Sequence, residues 1–122
     1  MLFVEDEKDI VFVFSKGIQR YGYEVGAYND PVKALLEFER GSYDLALLDI
    51  RMPNLDGVEL AHRLMQKDPS LAVFFWSAFE YDELKVRGIL PHLSDHFFIQ
   101  KPKTIAEVVK HIETHFEDKQ KA

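Results

Sequence analysis

Five short apolar runs, each followed by a longer stretch with helical spacing, constrain this chain more than any other feature. Residues 2 to 4, 23 to 28, 45 to 48, 71 to 76 and 96 to 99 are rich in Val, Phe, Tyr and Leu. Such runs read as strands, and the segments between them read as helices. Strands separated by helices run parallel, because parallel neighbours need a crossover connection, and the helices then cover both faces of the sheet. The expected architecture is α/β and doubly wound, built from five βα units.

The first helical segment tests this reading, since IVFVF has the propensity of a strand. Ile10, Val13, Phe14, Ile18 and Tyr21 nevertheless recur at three- and four-residue steps, which places them on one helical face, and Gly22 follows as a stop. Asp30 before Pro31 marks the start of the second helix, with Ala34, Leu35 and Phe38 turned inward. Asp56 is the expected cap of the third, above a stripe of Leu60, Ala61 and Leu64. Around residues 81 to 91 the pattern weakens: Leu84, Ile89 and Leu90 can pack, but Gly88 and Pro91 interrupt, so a short or irregular helix is expected. Thr104 and Glu107 have capping-box spacing at the start of the fifth helix, whose apolar face is Ile105, Val108, Ile112 and Phe116.

The chain has 122 residues, which suits one domain with one core. A formal charge of −6 without any block of Lys or Arg argues against a nucleic-acid surface, because phosphate-backbone affinity depends on clustered cations. The absence of cysteine excludes a disulfide framework or thiolate metal site. The apolar runs IVFVF and LAVFFW fall far short of the ~20 residues that span a bilayer. The acidic N-terminus is no signal peptide, and the chain reads as soluble and cytoplasmic. The first strand has only four residues before Glu5, which fits a trimmed N-terminus. The terminal EDKQKA reads as a solvated helix end with no linker or second domain after it.

In open α/β sheets, ligands bind beyond the carboxyl ends of the strands. Asp49 closes the run LALL, where a carboxylate loses hydration and finds no partner in its own segment. Glu5 and Asp6 follow the first strand, Ser77 ends the fourth and Lys101 follows the fifth, while the second, ending near Tyr28, delivers no such group. If the first and third strands are neighbours, three carboxylates converge, and two such charges ~4 Å apart repel by about 4 kcal/mol at an effective dielectric of 20. A divalent cation relieves that repulsion. Oxygen-only donors without cysteine or a nearby histidine favour a hard ion, and Mg²⁺ fits better than Zn²⁺; the backbone carbonyl of Arg51 offers a further oxygen. Lys101 then supplies a fixed positive charge, and Ser77 a hydroxyl able to donate to an oxyanion. Together these groups describe a phosphoryl site, with Asp49 as the nucleophile.

V-E-D-E at 4 to 7, L-L-D-I-R-M-P-N-L-D-G at 47 to 57, W-S-A at 76 to 78 and Q-K-P at 100 to 102 stand in this order, each at a strand end. In these segments the whole chain resembles a receiver domain of a two-component response regulator, of the chemotaxis single-domain type. The resemblance implies a flavodoxin-like (βα)5 fold with strand order 2-1-3-4-5, one receiver domain over residues 1–122 and no output domain. It implies that Asp49 accepts phosphate from the phosphohistidine of a sensor histidine kinase or phosphotransfer protein, that Asp6 binds Mg²⁺ directly, and that Glu5 helps, often through water. Lys101 would contact the phosphoryl group, Ser77 would move toward it, and Phe98, three residues before the lysine, would change rotamer. The change would reach a downstream protein target through the face of the fourth helix, fifth strand and fifth helix, in a monomer or weak dimer. Such a domain is a regulatory phosphoacceptor that catalyses only its own phosphotransfer and dephosphorylation. A cis peptide between Lys101 and Pro102 is also implied, an isomer accessible mainly before proline.

Departures from the family pattern concentrate near the fifth strand. G-I-L-P-H-L-S-D-H-F-F replaces the usual small-residue segment, so Pro91 and Leu93 are expected to alter the fourth helix, and Phe98 in place of tyrosine offers no hydroxyl. Phe79, two residues after Ser77, and Arg51, two after Asp49, flank the approach of water to an aspartyl phosphate, and Phe79 is expected to slow hydrolysis. Taken singly, Glu5, Asp6 and Glu7 read equally as an acidic helix start. Ser77 reads as a strand-end hydroxyl, Lys101 as a surface charge and Phe98 as ordinary core. His111 and His115, four apart on a helix, read as an exposed face, and His62, His92 and His96 show no useful spacing.

The alternative reading keeps the fold without the chemistry, as a phosphorylation-independent interaction module, and the full set of site residues argues against it. A flavodoxin-like cofactor binder needs a loop that cradles phosphate after the first strand, where E-D-E-K-D repels it. In a metal-dependent phosphohydrolase, a second acid two residues after the nucleophile is usual, and Arg51 stands there.

Overall fold

A computed structural model describes residues 1–79, 81–91, 93 and 97–121. Five strands and five helices alternate: β1 (Leu2–Val4), α1 (Lys8–Gln19), β2 (Gly26–Tyr28), α2 (Pro31–Glu37), β3 (Leu45–Asp49), α3 (Gly57–Lys67), β4 (Ala72–Ser77), α4 (Tyr81–Ile89), β5 (Phe98–Gln100) and α5 (Ile105–Lys121). Every strand pair is parallel, and the sheet order is β2-β1-β3-β4-β5. The strand order that the resemblance implied is therefore the one adopted. β2 is shorter than its apolar run because pairing begins only where β1 does, with Gly26 opposite Leu2. β5 runs one residue further than expected, and residue 96, the expected first residue of that strand, lies outside the described residues.

Strand alternation divides the core between two faces. Leu2, Val4, Ala46, Leu48 and Phe75 point to one side, where Ala34 of α2, Leu60 and Leu64 of α3 and Val86 of α4 cover them. Phe3, Leu45, Leu47, Phe74 and Trp76 point to the other, beneath Ile18 of α1 and Val108, Val109 and Ile112 of α5. Burial of an aliphatic or aromatic side chain stabilises the fold by ~1.5–3 kcal/mol, so these two layers hold the sheet edge that carries the polar residues.

Caps fix the helix starts. Asp30 accepts from the amides of Val32 and Lys33, Asp56 accepts from the amide of Glu59 at 2.9 Å, and Thr104 and Glu107 form the reciprocal box, at 3.0 and 3.1 Å. Gly22, at φ 94°, takes the left-handed conformation just beyond α1. Gly57 serves a different need, because a Cβ built there would overlap the carbonyl oxygen of Asp49. Only glycine lets α3 start this close to the end of β3.

Several helical faces differ from expectation. In α1, Ile10, Phe14 and Ile18 face the core, but Val13 is 56% exposed, one position off the stripe, and Tyr21 lies beyond the helix end and is also exposed. Helix α4 is short, at nine residues, as expected, but it continues through Gly88 without interruption. Its inward stripe is Asp82, Val86 and Leu90, whereas Leu84 and Ile89 face outward. One position of that stripe is an acid, so apolar spacing alone does not reveal it. His111 and His115 are not on an exposed face either: both rings pack edge-on against Phe74, with centroids at 6.3 and 5.2 Å. Leu93 is half-buried against the first core layer, its amide bonded to the Leu90 carbonyl, while His92 and His96 lie outside the described residues. The Lys101–Pro102 peptide is cis, as the resemblance implied. Among the described residues no helix is long and apolar enough to cross a membrane.

Candidate functional site

Because β1 and β3 are adjacent, the residues at their carboxyl ends share one side of the sheet edge. Glu5 is fully buried, and its amide donates to the Tyr28 carbonyl, which holds its backbone in the sheet. Asp6 is half-buried at the start of the turn into α1, and Asp49 is the buried last residue of β3. One carboxylate oxygen from each of the three lies within 4.8 Å of the others. The convergence expected from the sequence is present.

Lys101 enters this cluster from the end of β5, where its amide bonds the Ser77 carbonyl. Its Nζ lies 3.0 Å from Glu5 Oε2 and 3.6 Å from Asp49 Oδ1. Trp76, the single tryptophan, also donates its indole N–H to Glu5 Oε2 at 2.8 Å, and the Lys101 ammonium sits 4.7 Å from its ring centre. Two donors thus converge on one oxygen of Glu5. The other, Oε1, is buried and has no hydrogen-bond partner among the described residues.

Burial first, then the negative charge of Glu5, raise Asp49 from an ordinary carboxylate value of 3.8 to about 7; Lys101 pulls the other way without prevailing, and a hydrogen bond with Asp6 adds to the rise. The Arg51 amide donates weakly to Asp49 Oδ1 at 3.4 Å. One lysine does not balance three crowded acids, and the donor set is oxygen only. Both features, with the bare Oε1, fit a hard divalent cation. Glu5, Asp6 and Asp49 each offer it an oxygen, and the Arg51 carbonyl would add another.

Ser77 is held elsewhere. Its hydroxyl donates to Asp82 Oδ2 at 2.6 Å and accepts from the Phe79 amide at 3.1 Å. Asp82, buried on the first turn of α4, also receives Arg51 Nε at 3.1 Å and a second guanidinium nitrogen at 3.2 Å. Burial opposes ionisation of Asp82, but the hydrogen bonds from Arg51 and Ser77 and the charges of Arg51 and Lys85 outweigh it and hold its pKa below the usual carboxylate value. The guanidinium lies over the Phe79 ring, 4.1 Å from its centre. Phe98 is half-buried in β5 and packs against the first core layer.

The sequence assigned Arg51 a backbone oxygen and a place beside the approach of water, but revealed neither its side-chain bonds to Asp82 nor the roles of Trp76 and Asp82. A signal existed for Trp76, since a buried indole N–H at a strand end must find an acceptor. For Asp82 the signal was an acid five residues after a strand-end serine, at the start of a helix.

Comparison with known proteins agrees with this geometry. The family model described as response regulator receiver domain matches residues 1–113. The response regulator receiver protein CpdR of Brucella abortus is 30% identical over 113 residues, which cover 93% of this chain and 92% of CpdR. Several relatives named as transcriptional regulators are longer, and the chain spans between 44% and 50% of their lengths. A CheY-like receiver domain protein of Methanospirillum hungatei superposes with a TM-score of 0.83 over 98% of this chain and 94% of that one, at 22% identity. The response regulator TrrA of Thermotoga maritima, solved in complex with Mg²⁺ and BeF, superposes with a TM-score of 0.77 over 93% of this chain and 95% of that one, at 25% identity.

Proposed function

The chain belongs to the response regulator receiver domain family, and on that premise we propose that it is a phosphorylation switch whose acceptor is Asp49. The observation that carries this reading is the meeting of Glu5, Asp6 and Asp49 oxygens within 4.8 Å, with the Lys101 ammonium 3.6 Å from Asp49. A carboxylate oxygen of Asp49 attacks the phosphorus of a phosphohistidine on a histidine kinase or phosphotransfer protein. The new O–P bond forms as the N–P bond breaks, and the imidazole leaves with the electron pair. Lys101 offsets negative charge on the phosphoryl oxygens, and Trp76 and Lys101 together fix the Glu5 carboxylate. Asp6, Asp49 and the Arg51 carbonyl would hold a Mg²⁺, with Glu5 assisting, and when bound the ion would supply further charge neutralisation for the incoming group.

Ser77 and Phe98 are the response elements in this reading, and the α4-β5-α5 face is the surface that a downstream protein meets. The domain acts in the cytoplasm as a single receiver unit over residues 1–122, as a monomer or weak dimer, and turns over no separate substrate. The test is incubation with Mg²⁺ and acetyl phosphate, followed by intact mass measurement. A gain of one phosphoryl group, absent in Asp49→Asn, is expected; no gain in the native chain would leave a receiver fold acting by protein contact alone.

A further inference from the structure

The Ser77 hydroxyl has one proton, and in this structure it goes to Asp82 at 2.6 Å. A hydroxyl so committed cannot also donate to a phosphoryl oxygen on Asp49. We propose that Asp82 is a positioning residue that restrains the switch: it holds Ser77 away from the phosphoryl site and ties the first turn of α4 to the loop that follows Asp49. The proposal rests on the phosphoacceptor reading of Asp49.

Three elements meet at this carboxylate. Ser77 comes from the end of β4, Arg51 from the β3–α3 loop, and Asp82 itself from α4. Arg51 approaches with two nitrogens, and its planar group is covered on one side by Phe79. Release of Ser77 therefore does not strand a buried charge, because Asp82 keeps the bidentate guanidinium contact. What is lost is a single charge-assisted hydrogen bond. Asp82 shares the buried stripe of α4 with Val86 and Leu90, so a shift of its carboxylate is passed to the helix as a body. The outward residues of that helix, Leu84 and Ile89 among them, move with it.

Coupling of this kind is reciprocal: if a phosphoryl group must compete with Asp82 for Ser77, removal of Asp82 must strengthen phosphoryl binding. The probe is beryllofluoride, a phosphoryl analogue, titrated calorimetrically into the full chain with saturating Mg²⁺. Asp82→Ala is expected to bind it ~10-fold or more tightly than the native chain, the equivalent of one hydrogen bond to a charged group. In a Ser77→Ala background the same substitution is expected to give no gain. That second arm matters, because removing an acid near an anion site raises affinity by charge alone. An equal gain with and without Ser77, or no gain at all, overturns the proposal. Asp82→Asn, which removes the charge and keeps an acceptor for the hydroxyl, should fall between the native chain and Asp82→Ala, and it serves if the alanine variant fails to fold.

A native chain that binds no beryllofluoride would refute the phosphoacceptor reading. The restraint is then judged separately, in the resting domain, from urea denaturation of the two single variants and the double variant. Non-additive effects support the Ser77–Asp82 contact, and additive effects overturn it.

Discussion

Replacing Asp49 by asparagine should stabilise the metal-free domain, although it removes the proposed acceptor. With its partner oxygens no farther than 4.8 Å away, an ionised Asp49 is repelled by each of Glu5 and Asp6 by at least ~3.5 kcal/mol at an effective dielectric of 20. Lys101 at 3.6 Å returns ~4.6 kcal/mol at the same dielectric, which leaves at least ~2 kcal/mol unfavourable before loss of hydration is counted. The rise of the Asp49 pKa to about 7 points the same way. Taken at face value that rise corresponds to roughly 4 kcal/mol, and solvent at the rim of the site reduces it, so about 1–3 kcal/mol is expected.

The sign with pH follows from linkage. Below the unfolded value of 3.8 both states hold the proton, and Asp49 contributes no penalty. As pH rises the unfolded chain ionises first, so the native chain loses stability until about pH 7, beyond which the penalty is constant. The advantage of Asp49→Asn should therefore open above about pH 4 and level off above about pH 7. Urea midpoints measured across this range in the presence of a chelator provide the assay. Saturating Mg²⁺ should reverse the order, because it binds the native cluster and stabilises only that fold. A variant no more stable than the native chain at high pH, or an advantage independent of pH, would refute the electrostatic reasoning.

Lys101→Ala leaves two buried carboxylates without their cation and should destabilise the metal-free domain by about 3–5 kcal/mol, read from the urea midpoint. Trp76→Phe keeps the ring packing but removes the N–H that meets Glu5 at 2.8 Å, and should lower stability by about 1–3 kcal/mol. Since Trp76 is the only tryptophan, its emission in the native chain should change when Mg²⁺ is added. Phe79→Ala should accelerate loss of phosphate from the phosphorylated domain, measured by intact mass against time; an unchanged rate would exclude Phe79 as a shield against water.

Much of the fold was legible because its signals are local. A run such as LALL between polar segments has no exposed face available to it, and Asp30, Asp56 and Thr104 mark helix starts through bonds made within a few residues. Errors arose where burial depended on a partner far along the chain. Val13 lies one position away from the stripe that meets the sheet. The two imidazoles of α5 are sheltered by Phe74, a residue on β4.

The site divides along the same line. Acids at the ends of β1 and β3 and a lysine after β5 could be named from sequence, since a charge at the end of a buried strand demands an explanation wherever it occurs. Which groups those charges meet depended on the order of the strands and on how α4 sits. Tertiary structure alone decided that Trp76 and Lys101 share one oxygen of Glu5, and that Ser77 gives its proton to Asp82. The reason is one of range: strand and cap signals act over a few bonds, whereas a buried hydrogen bond takes whichever acceptor packing brings within about 3 Å.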